Sequence, residues 1–113
     1  IGIQQMQHVH QLISRQRYNA KLWDVILQKL PEVKPLVRRE TLPNFWVYGA
    51  LAPNKRDYIQ NFRHNGYYAS GVHLNNNIYS VFMDKTVLPG VTDFQNQFLA
   101  LPCGWWLEND VKL

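Results

Sequence analysis

The chain has 113 residues, 46% apolar and 18% charged, which suits one globular domain over residues 1–113 and excludes a disordered or fibrous protein. It has no apolar run near the roughly 20 residues of a membrane span, no signal-peptide pattern, and one cysteine, which favours the reducing cytoplasm. The net charge of +4 allows an anionic partner, but the basic residues are scattered, as on an ordinary solvated surface.

Residues 1–30 are predicted to form one long amphipathic helix that Pro31 ends. Such a helix would be about 42 Å long at about 1.5 Å per residue, longer than a domain of this size is wide. We therefore expect one end to project or to pack on a partner. Two rows of residues spaced by seven form the apolar seam, and Gln16 is the one polar interruption of the second row: Met6, Ile13, Ala20 and Leu27, and Gly2, Val9, Trp23 and Leu30.

The two ends of the chain suggest that it belongs to a larger protein. It starts at Ile1 inside the helical pattern, and residues 108–113 read as the start of another helix. If so, helix 1 or the face carrying Trp23 and Leu27 should expose apolar surface that a missing domain covers.

Two strands are predicted next. Val33, Leu36 and Val37 suit a short edge strand. Residues 45–51 form an aromatic and β-branched run that predicts a central strand with both faces covered.

A helix is predicted from Pro53–Asn54 to Asn65–Gly66, followed by a second core strand from Tyr67 to His73. Asn54 can cap the helix with its side chain, and Gly66 suits a left-handed terminator. The buried face should carry Tyr58, Ile59 and Phe62.

The last third should be irregular. Asn75–Asn77 predict a loop, and Leu88–Val91 predict a type II turn with Gly90 at positive φ. Thr92–Gln95 form a capping box, which predicts the start of a short helix with Phe94 and Phe98 one turn apart. Residues 99–103 should be extended. The fold class predicted is α+β, with a long amino-terminal helix on a small, mainly antiparallel sheet and further short helices.

The residues do not assemble a complete catalytic or metal site. His8 and His10 point to different helix faces, and Cys103 lies in an apolar run where a cysteine is usually a small buried hydrophobe. Tyr67 and Tyr68 could stack nucleobases, but no RNA-binding motif accompanies them, so no nucleic-acid partner is expected.

The segment from His73 to Tyr79 is the richest in polar groups. A histidine at a strand end is followed by several amides and a tyrosine, which together could bind sugar hydroxyls or phosphate oxygens. The same groups could equally well satisfy only the loop's own backbone.

Six segments, in order, resemble the carboxy-terminal region of the DegT/DnrJ/StrS family of sugar aminotransferases. The similarity covers nearly the whole chain, and each motif alone is weak. The segments are Ile1–Met6, Arg17–Trp23, Phe45–Tyr48 with Asn54–Asp57, Ser70–Ser80, Leu88–Gly90 and Leu101–Leu107.

The resemblance implies the small domain of a pyridoxal-phosphate enzyme that moves an amino group, usually from glutamate, to a nucleotide-linked keto-sugar for lipopolysaccharide or other surface polysaccharide. The cofactor would be held by a large domain upstream, so this chain alone should be inactive. None of its lysines stands in a family Schiff-base motif: Lys21, Lys29, Lys34, Lys55, Lys85 and Lys112.

The resemblance also places a substrate pocket, near a homodimer interface, beside His73, Asn76, Asn77 and Tyr79. Asn77 stands where the family often has Asp, and Leu74 where a basic residue is common. Trp105 and Trp106 are expected first as packing anchors and second as pocket lining. Two other hypotheses stay open: a non-catalytic module for an anionic partner, and a family member that has lost transamination.

Overall fold

The computed structural model describes residues 2–82 and 86–107. Within them, α1 and α2 precede a three-stranded antiparallel sheet, and α3 and α4 lie between its strands in sequence. The bounds are α1 Gly2–Met6, α2 Val9–Leu27, β1 Lys34–Pro35, β2 Tyr48–Leu51, α3 Lys55–His64, α4 Pro89–Gln97 and β3 Phe98–Leu101, with 3₁₀ turns at Asn76–Ile78 and Ser80–Phe82. The predicted α+β class is confirmed.

The sheet has the order β1-β2-β3, so β2 is central as predicted and β1 is the edge strand. Tyr48 faces Leu101 and Leu51 faces Phe98 in the antiparallel pair β2–β3. Pro35 is tolerated because an edge strand has one unpaired side.

The core lies between the second half of α2 and the sheet. Trp23 is completely buried and packs edge-on against Phe62 and Tyr67, with ring centroids 5.7 Å and 5.0 Å away. Ala20 and Leu27 are also buried, so the predicted seam is correct in this half of the helix. Of the two surfaces expected to expose apolar residues, helix 1 or the Trp23–Leu27 face, the second is therefore buried.

One face of α2 holds the carboxy-terminal segment by its backbone. Asn19 Nδ2 donates to the Gly104 carbonyl at 2.9 Å, and Trp23 Nε1 donates to the Pro102 carbonyl at 2.7 Å. One turn earlier, an Arg15 guanidinium nitrogen donates to the Leu107 carbonyl at 3.0 Å. The three donors are four residues apart and so lie on one helix face. We call this set the α2 clamp.

A charged cluster joins α2 to the segment before β2. Arg38 donates two hydrogen bonds to the Asp24 carboxylate, at 2.8 and 2.5 Å, and the Tyr48 hydroxyl donates a third at 2.6 Å. Burial opposes ionisation of Asp24, but the hydrogen bonds from Arg38 and Tyr48 outweigh it and lower the carboxyl pKa. Burial and the same hydrogen bond raise the pKa of Tyr48 well above its usual range.

The predicted single helix is broken. The chain leaves the helix at Gln7 and re-enters it at Val9, and the second piece ends at Leu27 rather than Leu30. No residue of α1 is buried, so no tertiary packing keeps it in line with α2. Ile3, 86% exposed, and Met6 supply the apolar surface expected on helix 1.

The predicted strand from Tyr67 to His73 is also wrong. Only Ser70 pairs with the sheet, in a single bridge to Ala100. Val72 then has φ of +51°, outside the range of an extended strand, and this turns the chain away from the sheet.

Local predictions at helix ends had mixed outcomes. Gly66 ends α3 with φ of +87°, as predicted, but the Asn54 side chain makes no capping hydrogen bond. Pro89 is the first residue of α4, so neither the type II turn at Gly90 nor a helix start at Thr92 occurs.

The rings of Phe94 and Phe98 stack on each other, with centroids 4.8 Å apart. The helix predicted over 108–113 lies outside the described residues.

Trp23→Phe should lower the free energy of unfolding by about 2–4 kcal/mol, because it removes buried volume and leaves the Pro102 carbonyl without its donor. Urea unfolding followed by circular dichroism measures the change. Val25→Ala, at an exposed position of the same helix, is the control and should change stability by less than about 0.5 kcal/mol. Equal effects of the two substitutions would contradict the α2 clamp.

Asp24→Asn should remove part of the acid sensitivity of the fold. Because folding lowers the pKa of Asp24 from its usual 3.8, its stabilisation is complete above that value and is lost as the pH falls through the folded-state pKa. Urea midpoints at about pH 7 and about pH 3 should differ less for Asp24→Asn than for the unchanged chain. Asp93→Asn, at an exposed position, should leave the difference unchanged. An equal drop in the urea midpoint between about pH 7 and about pH 3 in all three proteins would refute the stabilising role of Asp24.

Candidate functional site: a polar loop, an aromatic cleft and a basic cleft

Two basic side chains of α3 contact the segment that leads into the polar loop, which comprises residues 73–79. Arg63 Nε donates to the Ala69 carbonyl at 2.8 Å, and Lys55 Nζ donates to the Gln95 carbonyl at 2.6 Å. Lys55 also lies against Gly71, where an added Cβ would come within 3.1 Å of Nζ. The loop is therefore tied at its base to α3, while Lys55 also contacts the end of α4.

A tight turn then exposes His73. The His73 amide donates to the Gly71 carbonyl at 2.7 Å, and Ser70 Oγ accepts from the amide of Val72 at 3.3 Å. The positive φ of Val72 is costly for a β-branched residue, so the surrounding hydrogen bonds must enforce it. The His73 ring lies 6.1 Å from the ring of Trp46, centroid to centroid.

The other three predicted site residues share one short turn. Asn76 and Asn77 lie in the 3₁₀ turn Asn76–Ile78, and the Tyr79 amide donates to the Asn76 carbonyl at 3.2 Å. Asn77 Oδ1 is buried and has no hydrogen-bond partner among the described residues. The structure thus groups Asn76, Asn77 and Tyr79 and places His73 against Trp46, without a described side-chain hydrogen bond among the four.

An aromatic cleft of about 330 Å³ adjoins His73. Trp46, Tyr68 and Trp106 line it, and its base includes the segment from Leu101 to Cys103. Trp46 is 66% exposed, although the sequence predicted it inside a doubly covered strand. Phe45, with φ of +55°, redirects the chain just before Trp46, and the sequence carries no signal for that change.

Trp105 and Trp106 are half-exposed and are not buried packing anchors. Their rings meet edge to face with centroids 5.9 Å apart. Trp106 covers Gly104, where an added Cβ would come within 2.2 Å of the indole, so only glycine allows this approach. The secondary expectation, that Trp106 lines a pocket, is the correct one.

A basic cleft of about 770 Å³ runs between α3 and the end of α4, and sequence reasoning did not find it. Lys55, Arg56 and Arg63 line it together with a single carboxylate, Asp57. The remaining polar lining consists of side-chain amides: Asn54, Gln60, Gln95 and Asn96. Arg56 and Arg63 lie two turns apart on one face of α3, and Lys55 immediately precedes Arg56 at the start of the helix.

Cys103 is buried, as predicted. Its thiol donates to the Gln16 carbonyl at 3.1 Å, and burial raises its pKa to about 12. A thiol that stays protonated is not a nucleophile.

The described residues do not fit a self-contained pyridoxal phosphate site. Burial lowers the pKa of Lys55, but its Nζ already donates to the Gln95 carbonyl at 2.6 Å. The one carboxylate of that cleft, Asp57, is exposed, and no aromatic ring lines the cleft to stack on a pyridine. Residues 2–82 and 86–107 also contain no group of three or more His, Cys, Asp or Glu side chains that could bind a metal ion.

No protein-family model and no curated protein sequence matches the chain. Several solved structures match it. The sugar aminotransferase CalS13 from Micromonospora echinospora superposes with a TM-score of 0.86 and 28% identity over 97% of this chain. The expected resemblance to a sugar-aminotransferase small domain is confirmed. The chain spans about 30% of the length of CalS13.

Two more distant structures share the fold. The aminotransferase TlmJ from Streptoalloteichus hindustanus has a TM-score of 0.83 at 18% identity, over 96% of this chain and 30% of its own. PseC from Helicobacter pylori, an aminotransferase involved in pseudoaminic acid biosynthesis, has a TM-score of 0.76 at 20% identity, over 95% and 31%. Within the described residues, no helix is long and apolar enough to cross a membrane.

Proposed function

We propose that this chain is the carboxy-terminal small domain of a cytoplasmic, pyridoxal-phosphate-dependent sugar aminotransferase. The parent enzyme would transfer an amino group from an amino acid, glutamate, to a nucleotide-linked keto-sugar in lipopolysaccharide or other surface-polysaccharide biosynthesis. The observation that carries the proposal is the superposition on CalS13 over 97% of this chain at 28% identity. The 113 residues alone would be inactive, with the cofactor held by a large domain of the same parent chain.

The polar loop would contact the sugar nucleotide. His73 and Tyr79 are exposed and offer a ring nitrogen and a hydroxyl, and Asn76 adds an amide. Asn77 Oδ1, buried without a partner in the described part of the chain, would gain a donor from the ligand or from the neighbouring domain.

Exposed apolar residues support a partner surface. Val81 is 79% exposed and Val87 is 80% exposed, and Phe82 and Leu88 beside them are also exposed. At the other end of the chain, Ile3 and Met6 are exposed on α1. We assign these surfaces to the large domain and to a second copy of the enzyme, because large apolar side chains are costly to leave in water.

The full-length parent protein tests the aminotransferase proposal. Purified from cells, it should show the visible absorbance of bound pyridoxal phosphate, and it should convert glutamate to 2-oxoglutarate beyond one equivalent per enzyme only when a nucleotide-linked keto-sugar is present to accept the amino group. The 113-residue chain should do neither. A folded parent without cofactor, or without amino transfer to any such sugar, would refute the proposal.

In the parent enzyme, His73→Ala should raise KM for the sugar nucleotide by about 3–10-fold, because one hydrogen bond to the ligand is lost. Steady-state kinetics over a range of sugar-nucleotide concentrations measures it. His64→Ala, at the exposed end of α3, is the matched control and should leave KM unchanged. An unchanged KM in His73→Ala would remove His73 from the substrate site.

A further inference from the structure

We propose that Arg17, on α2, is a positioning residue for the substrate site and acts through Trp46. Its side chain holds the backbone of residues 42–44, and this keeps Trp46 against His73 of the polar loop. The inference rests on the proposed function, because it takes His73 as a contact of the sugar nucleotide. Arg17 is not among the described residues that line the aromatic cleft, so its effect on the site is indirect.

The Arg17 guanidinium binds three acceptors in one short segment. Its Nε donates to the Pro43 carbonyl at 3.1 Å, and its Nη2 donates to the Leu42 carbonyl at 3.3 Å and to Asn44 Oδ1 at 2.9 Å. A guanidinium is planar and presents its donors in a fixed fork. Contacts with three consecutive residues therefore fix both the position and the direction of the segment.

Phe45, which follows this segment, needs such support. Its φ of +55° is uncommon for a bulky side chain, and a backbone of this kind persists only where surrounding contacts enforce it. Gln16, next to Arg17, adds one such contact, because its Nε2 donates to the Phe45 carbonyl at 3.3 Å. The Phe45 ring also stacks on Tyr48, with centroids 6.2 Å apart. Without Arg17, we expect the φ of Phe45 to relax and Trp46 to change direction.

Trp46 connects the held segment to the proposed substrate site. Its ring lies 6.1 Å from the ring of His73, centroid to centroid, and forms one wall of the aromatic cleft. Because Trp46 is largely exposed, the backbone before it determines its position more than core packing does. The base of the cleft is joined to the same turn of α2, since the Cys103 thiol donates to the Gln16 carbonyl. Two neighbouring residues of α2 therefore hold both the wall and the base of the cleft.

In the parent enzyme, Arg17→Gln should raise KM for the sugar nucleotide about threefold and change kcat less than about twofold, because it weakens binding without touching the reacting groups. Steady-state kinetics measures both constants. Lys21→Gln removes the same charge at an exposed position one turn further along α2, so it should leave KM unchanged. An equal rise in KM for Lys21→Gln would mean that net charge alone acts, and would overturn the inference.

A double-mutant cycle tests whether Arg17 acts through Trp46. In a Trp46→Ala background, Arg17→Gln should raise KM less than about 1.5-fold further, because its route to the substrate is already lost. The full threefold rise in that background would show that Arg17 acts by another route, and would overturn the inference.

The parent protein labelled with fluorinated tryptophan tests the positioning step without any activity. The ¹⁹F signal of Trp46 is identified by its loss in Trp46→Phe. It should shift in Arg17→Gln and stay in place in Lys21→Gln. Arg17→Lys keeps the charge but not the fork, so it should shift the signal too, and it serves as the milder substitution if circular dichroism shows that Arg17→Gln does not fold.

An unmoved Trp46 signal in a folded Arg17 variant would refute the role of Arg17, whether or not the enzyme is active. A parent protein without amino transfer would instead refute the proposed function. The two failures are therefore distinguishable.

Discussion

The fold depends on the α2 clamp, in which side chains of one helix face hold the backbone of the carboxy-terminal segment. Trp23 fills the core and also donates to the Pro102 carbonyl, while Asn19 donates to the Gly104 carbonyl. Carbonyl groups beyond the end of β3 have no strand partner, and leaving them buried and unpaired would cost about 1–3 kcal/mol each. The α2 clamp supplies hydrogen-bond donors to these carbonyls and so determines where the segment leaves the sheet.

The position of that segment decides the shape of the aromatic cleft. Pro102 and Cys103 lie at its base, and Trp106 reaches it only because Gly104 has no side chain. The other wall comes from Trp46, which is placed by a change of direction at Phe45. Residues from three distant parts of the sequence therefore meet at one surface, and His73 lies at its side against Trp46.

Helix α3 has a comparable role on its own side of the molecule. Its buried residue, Phe62, packs on Trp23, while Lys55 and Arg63 contact the backbone of neighbouring segments. The same two cations line the basic cleft. One helix thus connects the segment before the polar loop to the core and also lines the basic cleft.

The sequence by itself determined the α+β class, the central strand β2, the end of α3 at Gly66, the burial of Cys103 and the resemblance to sugar aminotransferases. These depend on local periodicity, on glycine stereochemistry and on ordered motifs, all of which are properties of neighbouring residues. The same local reasoning failed at α1, none of whose residues is buried, and at Val72, whose positive φ is enforced by hydrogen bonds. Only the tertiary structure decided the exposure of Trp46, the place of Trp106 in the aromatic cleft beside Trp46 and Tyr68, and the approach of the end of α4 to the basic residues of α3. Those features arise from packing between segments far apart in sequence, which no local pattern encodes.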